Sequence, residues 1–146
     1  IGMFLTGKLK VSKRYLGAKV KMEDGQEFSI FRHVTKDLVD ADEQPVTFIV
    51  RFRFARLSHN ANRIASVIPM LMITGFPGFQ TKMYAVNKKT GHWQGMYQWK
   101  TKKHLEDYLR SFVYRLMNKR AIQETISSRE YNNLLLIDYI EKHKAV

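Results

Sequence analysis

GFPGFQTKMYAVNKKTGHWQGMYQWKTKKHLEDYLRSFVYRL, residues 75–116, is the stretch on which the fold turns. Gly75, Pro77 and Gly78 reverse the chain into an alternating run from Phe79 to Lys88. Thr90-Gly91 turns it again, and residues 92–100 alternate a second time. From Thr101, a residue able to cap a helix, the period changes from two to 3.6, so that Leu105, Tyr108, Leu109, Phe112, Val113 and Leu116 fall on one side. The stretch predicts strand, short turn, aromatic-rich strand, helix. Leu105, Leu109 and Phe112 are expected to dock that helix.

Upstream, Val46, Phe48, Val50, Phe52 and Phe54 alternate with Thr47, Ile49, Arg51, Arg53 and Ala55, which predicts a strand with one strongly apolar face. Ser58 is placed to cap a helix to about residue 73, with Ile64, Val67, Ile68 and Leu71 on its apolar face and Pro69 kinking or ending it. Downstream, residues 121–126 read as a closing strand, and Ser127-x-x-Glu130 has capping-box spacing for a last helix to about residue 142. Strand, helix, strand, strand, helix, strand is the order of a ferredoxin-like β-α-β-β-α-β unit, an α+β fold. In front of it, Asp24-Gly25 between alternating flanks predicts a β-hairpin, joined to the main unit by the acidic, proline-containing connector 37–45. The expected organisation is therefore a basic hairpin extension over 1–45 and the α+β domain over 46–146, ending in a helix.

Composition bounds the function. A chain of 146 residues with 45% apolar and 12% aromatic side chains is globular and about one domain long. It has no cysteine, which removes disulfides, thiolate metal sites and cysteine nucleophiles. The charge of +12 attracts anions in general: nucleic acid, phosphorylated or carboxylated ligands. The competing account is a solvated basic surface. No apolar run approaches the length of a membrane span, and Lys8, Lys10, Lys13 and Arg14 interrupt any secretory core segment. A cytoplasmic protein that does not engage membranes is expected; a leader preceding Ile1 stays open.

Pro77-Gly78-Phe79, Gly95-x-Tyr97-x-Trp99 and Lys103-His104-Leu105-Glu106-Asp107-Tyr108-Leu109 resemble the dimeric α+β barrel superfamily, and within it the YdhR-like branch of mono-oxygenase-like proteins. The resemblance covers about residues 46–126 by architecture and 77–111 by motif. It implies a homodimer whose sheets pack into a barrel, with a pocket in each subunit between sheet and helices. It also implies an activity, where there is one, of cofactor-independent mono-oxygenase type, with no cofactor and no metal. A haem-degrading relative needs a histidine where this chain has Asn118, a tryptophan where it has Tyr108 and an asparagine near Phe52 or Arg53, so that mechanism is not expected here. A dimer is also expected on physical grounds. A four-stranded sheet with helices on one face leaves Ile49, Tyr84, Val86 and the Trp93 or Met96 side exposed on a monomer.

The candidate ligand pocket is aromatic: Phe52, Phe54, Tyr97, Trp99, Tyr108 and Phe112. Trp93, Gly95, Tyr97 and Trp99 share one strand face, and the missing side chain at Gly95 leaves room for a flat ligand. The same residues also make an ordinary core. His92, at a turn, and His104, near a helix start, are the candidate general bases, since imidazole titrates near neutrality. Arg51 and Arg53 on a strand built for burial require anionic partners. Two rival functions remain: a non-catalytic small-ligand carrier, and a nucleic-acid-binding module in which the aromatics with Lys82, Lys88 and Lys89 stack bases on an open sheet. No stretch matches the aromatic signature of RNA-recognition strands.

Overall fold

The computed structural model describes residues 9–36, 44–53, 73, 75–112, 114–115, 121 and 123–145. Phe54, Val113, Leu116, Asn118, most of the connector and the helix expected from Ser58, Ile73 apart, lie outside the described residues. Seven strands form one sheet: β1 (Leu9–Val11), β2 (Lys19–Lys21), β3 (Glu27–Lys36), β4 (Val46–Phe52), β5 (Phe79–Asn87), β6 (His92–Trp99) and β7 (Ser127–Asn132). Two helices pack on it, α1 (Lys102–Leu109) and α2 (Leu136–His143). The strand order is β1-β3-β5-β6-β4-β7, with β2 also paired to β3, and every pairing is antiparallel. The four strands of the β-α-β-β-α-β unit thus stand in the order fourth, first, third, second.

The expected hairpin forms at Asp24-Gly25. Gly25 has φ +88°, a conformation open to glycine at little cost, and Val20 faces Phe28 across the ladder. Its second arm continues as the ten-residue β3, which pairs along β5, so the N-terminal segment lengthens the same sheet. Thr101 caps α1 as its sequence position predicts: its hydroxyl accepts from the His104 N–H.

Both faces of the central strands are covered. On one, Val46, Phe48, Val50, Phe79, Tyr97 and Trp99 pack with Leu105 and Tyr108 of α1. On the other, Ile49, Met83, Ala85 and Met96 pack with Leu136, Tyr139 and Ile140 of α2 and with Tyr15 and Met22. Leu136 and Ile140 are completely buried, each contributing about 1.5–3 kcal/mol. This corrects the expectation of an exposed face. Ile49 and Met96 are buried by the chain's own α2, and Tyr84 and Val86 are buried too. An uncovered sheet, the physical ground for expecting a second copy, does not arise here.

The C-terminal reading also needs correction. The closing strand is Ser127–Asn132, not 121–126, where a 3-10 turn (Gln123–Thr125) stands instead. Ser127 and Glu130 are strand residues in register with Arg51 and Phe48, and α2 starts later at Leu136 without a side-chain cap. Two bulges interrupt the central ladders. Phe31 is the extra residue in β3, between Ile30 and Arg32, and Gln80 the extra residue in β5, between Phe79 and Thr81. Among the described residues no helix is long and apolar enough to cross a membrane.

Candidate functional site

Three adjacent strands build the site on the α1 face. Across β5 and β6, Lys82 faces Tyr97 and Tyr84 faces Gly95; across β3 and β5, Arg32 faces Tyr84 and Val34 faces Lys82. Opposed residues of an antiparallel pair point the same way, so two cations and a set of aromatic rings converge. The Lys82 Nζ lies 4.2 Å from the Tyr84 ring centroid and 4.4 Å from that of Tyr97. The Arg32 guanidinium lies 5.0 Å from the Tyr84 centroid. These are cation–π distances, and with burial they give Lys82 some compensation for leaving water.

That compensation is incomplete. Lys82 is only 3% exposed, and among the described residues no carboxylate pairs with it. Burial, and then the neighbouring Arg32 charge, lower its pKa to about 7. The Tyr84 and Tyr97 hydroxyls move the other way, held well above their ordinary value chiefly by burial.

Two hydrogen-bond groups on this face have no partner among the described residues. The Trp99 Nε1–H is buried and unpaired, on a side chain with no exposed surface. The Tyr84 hydroxyl is buried and meets no hydrogen-bond partner of good geometry among the described residues; the Arg32 guanidinium lies beside it and can donate only to its oxygen, so the hydroxyl proton stays without an acceptor. An indole N–H only donates, a tyrosine hydroxyl donates, and an ammonium only donates. Among the described side chains of this cluster the tyrosine oxygens are the only acceptors, against the Trp99 N–H and the Lys82 amine as donors. Around it, Trp99 stacks on Tyr108 at 4.7 Å, Phe76 sits edge-on to both, and the Tyr97 and Tyr108 hydroxyls are 3.3 Å apart.

No family model matches the chain, and no curated protein matches it. Solved structures do. An uncharacterized ferredoxin-fold protein related to antibiotic biosynthesis monooxygenases, from Listeria monocytogenes, superposes with a TM-score of 0.57 at 7% identity, over 85% of this chain and 90% of that one. A proposed monooxygenase from Fusobacterium nucleatum superposes with a TM-score of 0.50 at 11% identity, over 73% of this chain and 49% of that one. The fold these structures share with the chain is the ferredoxin-like α+β fold. At these identities the comparison carries the fold alone and leaves the YdhR-like branch unassigned.

Within this fold, the sequence-derived pocket residues separate into two groups. Tyr97, Trp99 and Tyr108 are fully buried together, and Phe52 packs half-buried against the same cluster. Phe112 does not join them: it is 62% exposed, because α1 ends at Leu109 and the chain turns at Ser111, whose hydroxyl bonds the Tyr108 carbonyl oxygen and accepts from the Tyr114 N–H. The space over Gly95 is occupied. A Cβ there would lie 2.9 Å from Tyr97 Cε1 and 3.4 Å from Lys82 Cε.

The two histidines are not brought together. Trp93 faces the α1 side, so its neighbour His92 points to the other side of β6. There burial and the Arg51 and Arg53 charges lower the His92 pKa, and its Nδ1 is 2.9 Å from the Thr90 hydroxyl. His104 stands at the opposite end, its Nδ1 2.7 Å from the Thr101 hydroxyl and its ring over Gly78. Arg51 finds its anion within the chain: Asp24 of the hairpin turn, at 2.5 Å, which holds that carboxyl at about 2. Together with the Arg129–Glu23 pair it lines a cavity of about 110 Å³ on the α2 face, where the charges are already matched. Among the described residues no group of three His, Asp or Glu side chains converges on a metal position.

Sequence reasoning missed Lys82, Arg32 and Tyr84 as a unit. It placed Lys82 on a basic surface for nucleic acid. The structure corrects that: the lysine is buried, and neither face of β5 or β6 is open for base stacking. The available signal was a lysine inside an unbroken run of strand residues (Phe79–Asn87), where a surface position should alternate with core.

Proposed function

We propose that this chain binds a planar aromatic molecule bearing oxygen acceptors on the α1 face of its sheet, and that it acts on it as a cofactor-independent mono-oxygenase. One observation supports this above the others: Trp99 Nε1 and Tyr84 Oη are buried on one face without a hydrogen-bond partner among the described residues, beside the Lys82 side chain, which is buried with no carboxylate there. Buried donors left unpaired cost about 1–3 kcal/mol each, and a ligand oxygen recovers that cost. Stacked rings beside them suit a flat polycycle.

The reaction class follows from a polycyclic methylene compound such as an anthrone. Loss of a proton gives an anion rich enough to reduce dioxygen directly. One oxygen atom becomes the new ring carbonyl, and the other leaves as water with the two methylene hydrogens. The protein's part is to bind the plane, remove a proton and hold the anionic oxygen.

The chain has two tryptophans, Trp93 and Trp99, both on the α1 face of β6, so intrinsic fluorescence reports occupancy directly. Quenching by anthrones, anthraquinones or flavonoids, with oxygen consumed for the anthrones, is the expected result. Fluorescence that no planar compound alters would refute the binding site. Quenching without oxygen uptake would favour the carrier reading. Face-to-face pairing of two sheets requires α2 to leave its seat, so light scattering on the intact chain and on one lacking residues 134–146 tests the dimer.

A further inference from the structure

We propose that Lys82 is the proton acceptor of this site: it deprotonates an acidic hydroxyl or methylene of the bound planar molecule and then, as an ammonium, holds the anion it has made. The inference rests on the preceding reading of the α1 face as a planar-ligand site.

A lysine buried without a carboxylate is an expensive residue to keep if its task is to remain charged. Methionine would fill similar space without that cost. Arginine would keep the charge but never release its proton, whereas lysine alternates between acceptor and cation at a modest change of environment. The surroundings favour the alternation. On β3, Arg32 repels the ammonium and Lys36 adds positive charge over Phe79. On β5 and β6, Tyr84 and Tyr97 supply ring faces while their hydroxyls stay protonated. From α1 and the helical residues after it, Tyr108 and Tyr114 are phenols, and β4 contributes the apolar side chains of Val46, Phe48, Val50 and Phe52. No acid among the described residues contributes to the balance at Lys82, whose pKa of about 7 leaves amine and ammonium both populated near neutrality.

The step balances simply. The amine lone pair takes the hydroxyl or methylene proton, and the electrons of the broken bond stay on the ligand as an oxyanion or its enolate. A neutral pair becomes an ammonium–anion pair. Arg32, the new ammonium, Tyr84 and the Trp99 N–H then surround the negative charge, each in the protonation state the product requires. Neither histidine is placed for this. His92 is on the far side of the sheet, and His104 is held by Thr101 at the end of α1.

Alizarin, a dihydroxyanthraquinone whose absorbance reports its own ionisation, is the probe, used with the full-length chain. Tryptophan quenching measures its binding, and the visible spectrum measures its charge state. For the wild type, bound alizarin should ionise at a pH lower than the free dye by about one unit or more. Lys82→Met should bind the dye, as quenching shows, but leave it neutral at that pH. Lys82→Arg should keep the lowered dye pKa through its charge, yet lose at least tenfold in oxygen uptake with 1,8-dihydroxyanthrone, because it cannot accept a proton. Circular dichroism confirms that each variant is folded. Should either variant fail to fold, the ε-carbon NMR signal of Lys82 in the wild type must titrate near neutrality and move upward when alizarin is bound. Dye that ionises identically in wild type and Lys82→Met, or full turnover in Lys82→Arg, overturns the role of Lys82 while leaving the binding site standing. Dye that binds neither protein overturns the site reading, and the base with it.

Discussion

The two faces of the sheet bury comparable sets of large apolar side chains but treat their polar groups in opposite ways. On the α2 face, Gln98 donates to the Gln80 side chain and accepts the first N–H of α2 from Leu136, each at 2.8 Å. Thr47 donates to the Leu134 carbonyl, and Gln94 reaches the Met22 sulfur. On the α1 face, Trp99 and Tyr84 leave donors unpaired beside a lysine with no carboxylate among the described residues. His33 is the α2-side exception. Thr81 gives its hydroxyl proton to the Val34 carbonyl, so His33 Nε2 must donate to Thr81, which leaves a bare Nδ1 lone pair; burial brings its pKa down to about 4. A core whose only task is cohesion pairs its polar groups as it folds. On the reading proposed above, the face that keeps donors in reserve is the one with an interaction outside the chain.

Substitutions on each face can break this contrast. The largest effect belongs to Leu136→Ala, which opens a cavity under α2 and should cost about 2–5 kcal/mol in urea unfolding. A loss well under that range would mean that α2 is only loosely seated and that the α2 face is not a true core. Lys82→Met comes next and has the opposite sign. Removing an uncompensated buried ion should leave stability at pH 7 unchanged or raise it, by up to about 4 kcal/mol. Its pH dependence is diagnostic. The folded pKa is about 7 and the ordinary value 10.5, so between these limits the unfolded chain binds the extra proton. Wild-type stability should therefore rise as pH goes from 7 to 10.5, and Lys82→Met should lose this rise. Destabilisation by Lys82→Met would show that the lysine has a structural partner after all.

A smaller pair sharpens the contrast directly. Gln98→Met leaves the Leu136 N–H and the Gln80 side-chain amide oxygen without partners and should cost about 1–3 kcal/mol, whereas Tyr84→Phe removes a hydroxyl whose proton has no acceptor among the described residues and should cost close to none. Equal losses from the two changes in chemical denaturation would erase the distinction. The smallest effect is Thr101→Ala, which removes the α1 cap at about 1 kcal/mol and should lower the melting temperature without altering tryptophan quenching by a bound dye.

Most of the fold was legible because β4, β5 and β6 carry their own punctuation. Alternation marks the strands, Thr90-Gly91 and Gly78 mark the turns, and Thr101 marks the start of α1. β7 was not legible for the converse reason. Ser-Ser-Arg-Glu-Tyr-Asn is polar and mostly exposed, as an edge strand can be, so no hydrophobic period announced it and Ser127 with Glu130 imitated a helix start. Of the candidate site, the aromatic row on β6 was readable from period two alone. The histidines were chosen for their chemistry before their direction was known, and the parity of β6 puts His92 on the wrong side. Lys82 and Arg32 were hidden because each follows a bulge, which breaks the alternation a reader extends from Phe79 or Ile30.

Those two bulges also change how the site could be gained or lost. In a regular strand Ile30 and Arg32 would point the same way, and Phe79 and Lys82 opposite ways; the extra residues Phe31 and Gln80 reverse both relations. Direction along a strand behaves like parity, and a change of length resets it where a change of identity does not. Deleting one codon on either strand would part the lysine or the arginine from its aromatic neighbours with the remaining letters untouched. Related chains that carry both cations but lack either insertion should place them on opposite sides of the sheet, and a search for the same chemistry has to count residues as well as compare them.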